Sequence, residues 1–499
     1  SQNFSQAIQL AKECDSKRAT FEGNLPSLYG IPMTVKDNIR VKGMPCTAGF
    51  LHRLVAKTNS DGPIASMLKK AGGILMATTS MCTLGGDCET YNAIAGRAVN
   101  PWNHDRTTGG STGGEAGCIA AGMSPLGLGT DIGGSIRGPS NFCGIYGLKP
   151  SNIRVSQADS FLLGMDQQDG VGFRVRINAA VGPMARCVED LATVMRLNFQ
   201  RDYYTQDHCV GRKDFSETEY NSTKPLKIGY YKADFWYEAS PSVGRAVQRA
   251  VEALKTKGHE VVPFELPKIP MQILISAFTK GFVCSQKNTD KFLKNVKQKV
   301  FEYHVLKEQT RPIWQTRMMY KFLLWFTSRS KRELVLKPAV CNFTGAELTY
   351  FNGVWGYQSQ RFFDSMDAQG IDAIVCPVYP VVAGLHKMIS NDLGSYSLFN
   401  VLANVLHAPA GVVPVTEVTK DEEYMARNPK DHAEETGNKL MKNSRGMPIG
   451  VQVYSKPYED ETVLRVMKDI ESEVQFKPLC TRTPDEVKTT RLDRGIFIQ

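Results

Sequence analysis

The sequence predicts an α/β sandwich, a sheet covered on both faces by helices. Three observations carry this: a helix-to-strand alternation over residues 63–78, a strand-helix-strand unit over 226–264, and three short apolar runs between 371 and 453. In the first, Pro63 opens a helix that runs to Lys70, Ala71-Gly72-Gly73 stops it, and Ile74-Leu75-Met76-Ala77-Thr78 reads as a buried strand. In the second, Leu226-Lys227-Ile228-Gly229-Tyr230 is a strand. A helix follows, with Ser240 as cap, Pro241 in its first turn and Gly258 as terminator, and Glu260-Val261-Val262-Pro263-Phe264 is the next strand. The third set is 371–377, Gly411-Val412-Val413-Pro414-Val415 and 448–453. These runs lack polar-apolar alternation, as expected of strands buried on both faces. They leave strand order and direction open.

The chain has 499 residues, 42% hydrophobic and 22% charged, with no Pro/Ser/Gly-rich linker and no internal repeat. One continuous domain over 1–499 is therefore expected. Twelve cysteines, scattered from Cys14 to Cys480 without a C-x-x-C pair, argue for reduced thiols and an intracellular, cytosol-facing protein. They also lack metal-ligand spacing, so neither a metal nor a cofactor is expected. No apolar run approaches the ~20 residues that span a bilayer.

The net charge of +10 is concentrated between Lys287 and Lys337, where 13 Lys and Arg face 4 Asp and Glu. Within that stretch Trp314, Met318, Phe322 and Trp325 fall on one face of a helix, with Arg311, Arg317, Lys321 and Arg329 nearby. A basic, aromatic insertion of this kind predicts contact with a membrane surface. A nucleic-acid surface would be basic and aromatic too, but no RNA-module motif accompanies it, so no nucleic-acid partner is expected.

The chemistry lies in two glycine-rich stretches. Ser111 stands in Thr108-Gly109-Gly110-Ser111-Thr112-Gly113-Gly114-Glu115, and Ser135 in Gly129-Thr130-Asp131-Ile132-Gly133-Gly134-Ser135-Ile136-Arg137. A serine hydroxyl needs a base within hydrogen-bond reach to act as a nucleophile. His104 and His407 read as surface or packing residues. Lys36, which ends the apolar run from Leu28, is either a strand-end lysine reaching water or a lysine in a desolvated pocket, where loss of solvation frees its amine to act as a base. The glycines around Ser135 suit backbone N–H groups converging on an oxyanion. They fit neither a phosphate loop nor a dinucleotide fingerprint. Gly109-Gly110-Ser111-Thr112-Gly113 satisfies the G-x-S-x-G pattern formally, but its flank, Asn103 to Thr107, is polar rather than an apolar strand, and the elbow reading is rejected.

The run from Gly109 through Ser124-Pro125-Leu126-Gly127-Leu128-Gly129-Thr130-Asp131 to Gly147-Leu148-Lys149-Pro150 resembles the amidase signature. The Lys36 segment, Asn100-Pro101-Trp102 and Val181-Gly182-Pro183-Met184-Ala185-Arg186 extend the likeness along most of the chain. Within that family, Ala410 to Thr416 and Met441-Lys442-Asn443-Ser444 are similar to the fatty acid amide hydrolase branch.

The resemblance implies a large twisted mixed sheet covered by helices. It also implies Ser135 as nucleophile, Ser111 as a bridging proton relay on a cis peptide, Lys36 as base, and an oxyanion hole from the N–H groups of Ile132, Gly133, Gly134 and Ser135. Thr130, Asp131 and Arg137 are then loop supports, and Met81 and Cys82 line the acyl channel. The implied reaction is hydrolysis of long-chain acyl amides, with a homodimer and a membrane-facing 287–337 region as further expectations. A glutamine-hydrolysing component of a tRNA-dependent amidotransferase is the alternative within the family. Thr112 departs from the family's usual serine but keeps a hydroxyl. Only 35 residues precede Lys36, so a longer N-terminal region with a membrane segment is expected to be missing.

Overall fold

In the computed structural model, residues 1–156, 179–197, 207, 210, 211, 213–269, 345–388 and 398–482 are described. The 287–337 region, with Trp314, Met318, Phe322 and Trp325, lies outside them.

Ten strands form one sheet: β1 (Pro32–Lys36), β2 (Ile74–Thr79), β3 (Leu126–Asp131), β4 (Tyr146–Lys149), β5 (Ala180–Ala185), β6 (Lys227–Tyr230), β7 (Glu260–Pro263), β8 (Ala373–Pro377), β9 (Ala410–Glu417) and β10 (Pro448–Ser455). Their order is β7-β6-β8-β10-β9-β4-β5-β3-β1-β2. Pairing is parallel at both ends, over β7-β6-β8 and β3-β1-β2, and antiparallel through the middle.

The sandwich prediction holds at β9 and β10. Gly411 pairs with Val453, and a side chain at Gly411 would run into Met467 of the helix Asp460–Val474. One residue along, Val412 pairs with Gln452, whose side chain meets Arg137 of the helix Arg137–Cys143. Successive residues of a strand point to opposite faces, so these helices cover opposite faces.

The sequence-legible elements appear close to their expected limits. The helix Pro241–Thr256 ends before Gly258, whose φ of 85° suits glycine. Ser240 occupies the cap position, but its hydroxyl lies 3.2 Å from Ser242 Oγ and bonds no helix amide. Asn103–Thr107, read as too polar for a strand, is one. It pairs with Val99–Asn100 in a separate hairpin outside the main sheet, where His104 and Asp105 meet solvent while Arg106 and Thr107 are buried. The rejected elbow needs a strand of the main sheet, so the rejection stands.

The strands β3, β4 and β5 went unread. In β3 the glycines make room: a Cβ at Gly127 would lie 1.8 Å from Glu115 Oε1. A strand whose side is filled by a neighbour's carboxyl carries no hydrophobic period.

Candidate active site

Parallel pairing of β1 with β3 puts their C-terminal ends side by side, and Lys36 and Asp131 are the last residues of the two strands. Beyond β3 the chain turns through Ile132-Gly133-Gly134-Ser135 into the helix Arg137–Cys143. The first serine stretch lies alongside, ending in the helix Gly113–Ala120. Thr112 joins the two, its N–H donating to the Ser135 carbonyl at 3.2 Å and its hydroxyl to Thr130 O at 3.2 Å. The threonine thus keeps a working hydroxyl.

Lys36 is fully buried. Its Nζ lies 2.6 Å from Ser111 Oγ, 2.8 Å from Thr130 Oγ1 and 3.2 Å from Thr130 O. The pocket alternative of the sequence reading is therefore the correct one. Burial pushes the lysine down to about 7, against smaller upward pulls from Cys82 and Asp131. The amine is then substantially neutral at neutral pH, with a lone pair for the Ser111 hydroxyl proton. The Gly110–Ser111 peptide is cis, as the resemblance implies. Ser111 is 2% and Ser135 9% exposed.

The loop carrying Ser135 is held from behind by charge. Asp131 Oδ1 accepts from Gly134 N at 2.8 Å, and Oδ2 accepts from Ile136 N at 3.1 Å. Arg137 grips the same carboxylate, Nε to Oδ2 at 3.0 Å and Nη2 to Oδ1 at 3.1 Å. Burial alone would raise the Asp131 carboxyl, but the Arg137 guanidinium outweighs it and holds it below the usual carboxylate range. Asp131 and Arg137 are thus loop supports. Thr130 holds Lys36 instead, and its Oγ1 also accepts from Asn38 Nδ2 at 3.2 Å.

One expected oxyanion donor is otherwise engaged. The Gly134 N–H donates to Asp131 Oδ1, and the residue holds a φ of 108° in that turn. Ile132 and Gly133, the two residues before it, are half-buried.

Met81 and Cys82 are both buried. Met81 Cε and Ser111 Oγ would each lie 3.4 Å from a Cβ on Gly85, which puts Met81 near Ser111. The Cys82 thiol exchanges hydrogen bonds with the Asp87 backbone at 3.3 Å and acts electrostatically on Lys36. His104 is exposed on its hairpin, and His407 packs edge-on against Trp355.

Three groups escaped the sequence reading. Asn404 donates to Asp131 Oδ1 at 3.0 Å and accepts from Arg137 Nη2 at 2.5 Å. Gln452 accepts from Arg137 Nη1 at 3.1 Å. A lone glutamine in the apolar run of β10 was a visible signal for it. Glu115, buried between the Thr34 and Thr79 hydroxyls, is pushed up to about 7 by burial.

The family model described as Amidase matches residues 2–464. The chain belongs to the amidase family. Among curated relatives, fatty-acid amide hydrolase 1 of Sus scrofa is 32% identical over 455 residues, 89% of this chain and 75% of that protein. Fatty acid amide hydrolase 1 of Caenorhabditis elegans is 32% identical over 487 residues, 94% and 81% of the two chains. A glutamyl-tRNA(Gln) amidotransferase component of Sulfurihydrogenibium is 27% identical over 479 residues, 93% and 87%. The amidase fold is equally plain: a solved structure of fatty acid amide hydrolase superposes with a TM-score of 0.76 at 23% identity, over 96% of this chain and 79% of that one.

Proposed function

We propose that this amidase cleaves long-chain fatty acyl amides, both N-acylethanolamines and primary amides, through an acyl-enzyme on Ser135. The observation that carries the mechanism is the 2.6 Å approach of a buried lysine amine to the Ser111 hydroxyl. Ser135 Oγ attacks the carbonyl carbon, its proton passes to Ser111, and the Ser111 proton passes to Lys36. The N–H groups of Ile132, Gly133 and Ser135 receive the negative oxygen, each donor contributing about 3 kcal/mol. Gly134 serves that loop through Asp131. As the C–N bond breaks, the relay runs backward and protonates the leaving nitrogen. Water, deprotonated by the same relay, then attacks the ester, and fatty acid leaves with Ser135 restored. An ester substrate differs only in its leaving atom.

The long-chain preference is supported by the two fatty acid amide hydrolase relatives and by Met81 beside Ser111, an apolar wall where an acyl chain would run. We assign the 287–337 stretch to membrane contact through Trp314, Met318, Phe322 and Trp325, facing the cytosol, and a homodimer as the assembly. No helix among the described residues is long and apolar enough to cross a membrane. The relationship to the glutamyl-tRNA(Gln) amidotransferase component keeps glutamine hydrolysis as the second reading.

The deciding assay gives the isolated chain glutamine and an N-acylethanolamine in parallel, with Ser135→Ala as control. Faster turnover of the lipid amide supports the proposal, and preference for glutamine overturns it.

A further inference from the structure

Lys36 is followed by a tight turn at the end of β1. The Ile39 N–H donates to the Lys36 carbonyl at 2.9 Å, which makes Asp37 and Asn38 the two central residues of that turn. The Asp37 carboxylate is taken by the N–H and the hydroxyl of Thr47. Asn38 is fully buried, and its Nδ2 donates to Thr130 Oγ1 at 3.2 Å. The same hydroxyl oxygen lies 2.8 Å from Lys36 Nζ.

That shared hydroxyl matters because of how few hydrogens the base has. A neutral amine keeps two of the three N–H groups of an ammonium and gains one lone pair. Lys36 Nζ has three close partners: Ser111 Oγ at 2.6 Å, Thr130 Oγ1 at 2.8 Å and Thr130 O at 3.2 Å. Taking the Ser111 proton requires the lone pair on the Ser111 side, so both N–H groups must go to Thr130, one to its carbonyl and one to its hydroxyl. The carbonyl can only accept. A hydroxyl can also donate, and if Thr130 gave its hydrogen to Lys36 the lone pair would be spent and the base lost.

We propose that Asn38 is a positioning residue that keeps Thr130 an acceptor toward Lys36 and so aims the lysine lone pair at Ser111. The inference rests on the relay reading above. With one lone pair of Oγ1 taken by the Asn38 amide and the other by Lys36, the Thr130 hydrogen is directed away from the amine. Turned end for end, the carboxamide would accept that hydrogen on Oδ1, and Thr130 would still face Lys36 as an acceptor. The Thr130 carbonyl is held in place beside it, since it also accepts from the Thr112 hydroxyl at 3.2 Å.

The test measures the rate of Ser135 labelling by a fluorophosphonate across pH on wild type, Asn38→Leu, Asn38→Ala and Asn38→Asp. Cys82 and Asp131, the titratable groups that act on Lys36, are present in all four. In Asn38→Leu and Asn38→Ala the Thr130 hydrogen competes for the lysine lone pair. The high-pH plateau should then fall about five- to tenfold, the worth of one neutral hydrogen bond, with no upward displacement of the midpoint. In Asn38→Asp the carboxylate still takes the Thr130 hydrogen, so the plateau should stay within about twofold of wild type. Its negative charge, one hydroxyl away from Lys36, should move the midpoint up by about one pH unit. Thermal unfolding identifies a variant that does not fold, in which case the others carry the comparison. A wild-type plateau in Asn38→Leu and Asn38→Ala overturns the proposal. Equal losses in Asn38→Leu and Asn38→Asp with an unmoved midpoint overturn it too, in favour of a structural role. Undiminished labelling in Lys36→Ala overturns the relay itself, whereas a relay that stands while every Asn38 variant behaves like wild type removes Asn38 alone.

Discussion

At the scale of single residues, the proposed chemistry depends on keeping Lys36 neutral. Burial does this alone, and the acidic neighbours work against it. The sign of the pH dependence follows. A neutral amine is the active form, and the neutral fraction grows as pH rises through a value of about 7. The acylation rate should therefore climb between pH 6 and 8 and level off above. A lysine at its ordinary value of ~10.4 would leave the rate still climbing at pH 9. Stopped-flow acylation across pH decides between them. Lys36→Ala should slow acylation about 100- to 10,000-fold, the range for a lost general base. Lys36→Arg should fare no better, because guanidinium stays protonated. Survival of acylation within a few-fold in either variant contradicts the relay.

At the scale of elements, what was legible depended on how each segment is stabilised. The helix Pro241–Thr256 and strands β6 to β10 bury ordinary apolar side chains, and their apolar runs and punctuation located them. Strand β3 takes its shape from what surrounds it, since Glu115 fills the space its glycine leaves. Within the site, residue type made Lys36, Ser111 and Ser135 candidates, and only the resemblance to the amidase signature gave them their roles. Asn404 and Gln452 were not, because their role comes from meeting Arg137 across 267 and 315 residues of chain. The same limit hid Arg154, which is buried between Asp460 at 2.6 Å and Glu461 at the start of the helix Asp460–Val474. Arg154→Ala would leave two buried carboxylates without the cation they share. We expect it to lower unfolding stability by about 3–5 kcal/mol in a urea titration at pH 7. A loss below about 1 kcal/mol would show that solvent reaches the pair.

At the scale of the whole molecule, one mixed sheet brings Lys36 and Asp131 together at the C-terminal ends of β1 and β3, and a helix from the far half of the chain clamps the loop that follows β3. The helix-sheet-helix architecture was legible from apolar runs, but strand order was not, because pairings such as β4 with β9 join segments more than 260 residues apart. The excess positive charge belongs to one stretch rather than to the whole surface. If 287–337 meets a membrane, the protein should co-float with anionic phosphatidylserine vesicles at low salt. Replacing Trp314 and Trp325 by alanine should release it, and flotation unchanged by that double substitution would contradict the assignment.

The claim on which the rest depends is that Ser135 is a nucleophile activated by Lys36 through Ser111. Labelling with a fluorophosphonate, followed by peptide mass spectrometry, measures it directly. The phosphonyl group should be found on Ser135, at a rate that rises with pH through about 7 and falls by orders of magnitude in Lys36→Ala. Adduct on another residue, or labelling of Ser135 at an undiminished rate without Lys36, would contradict it.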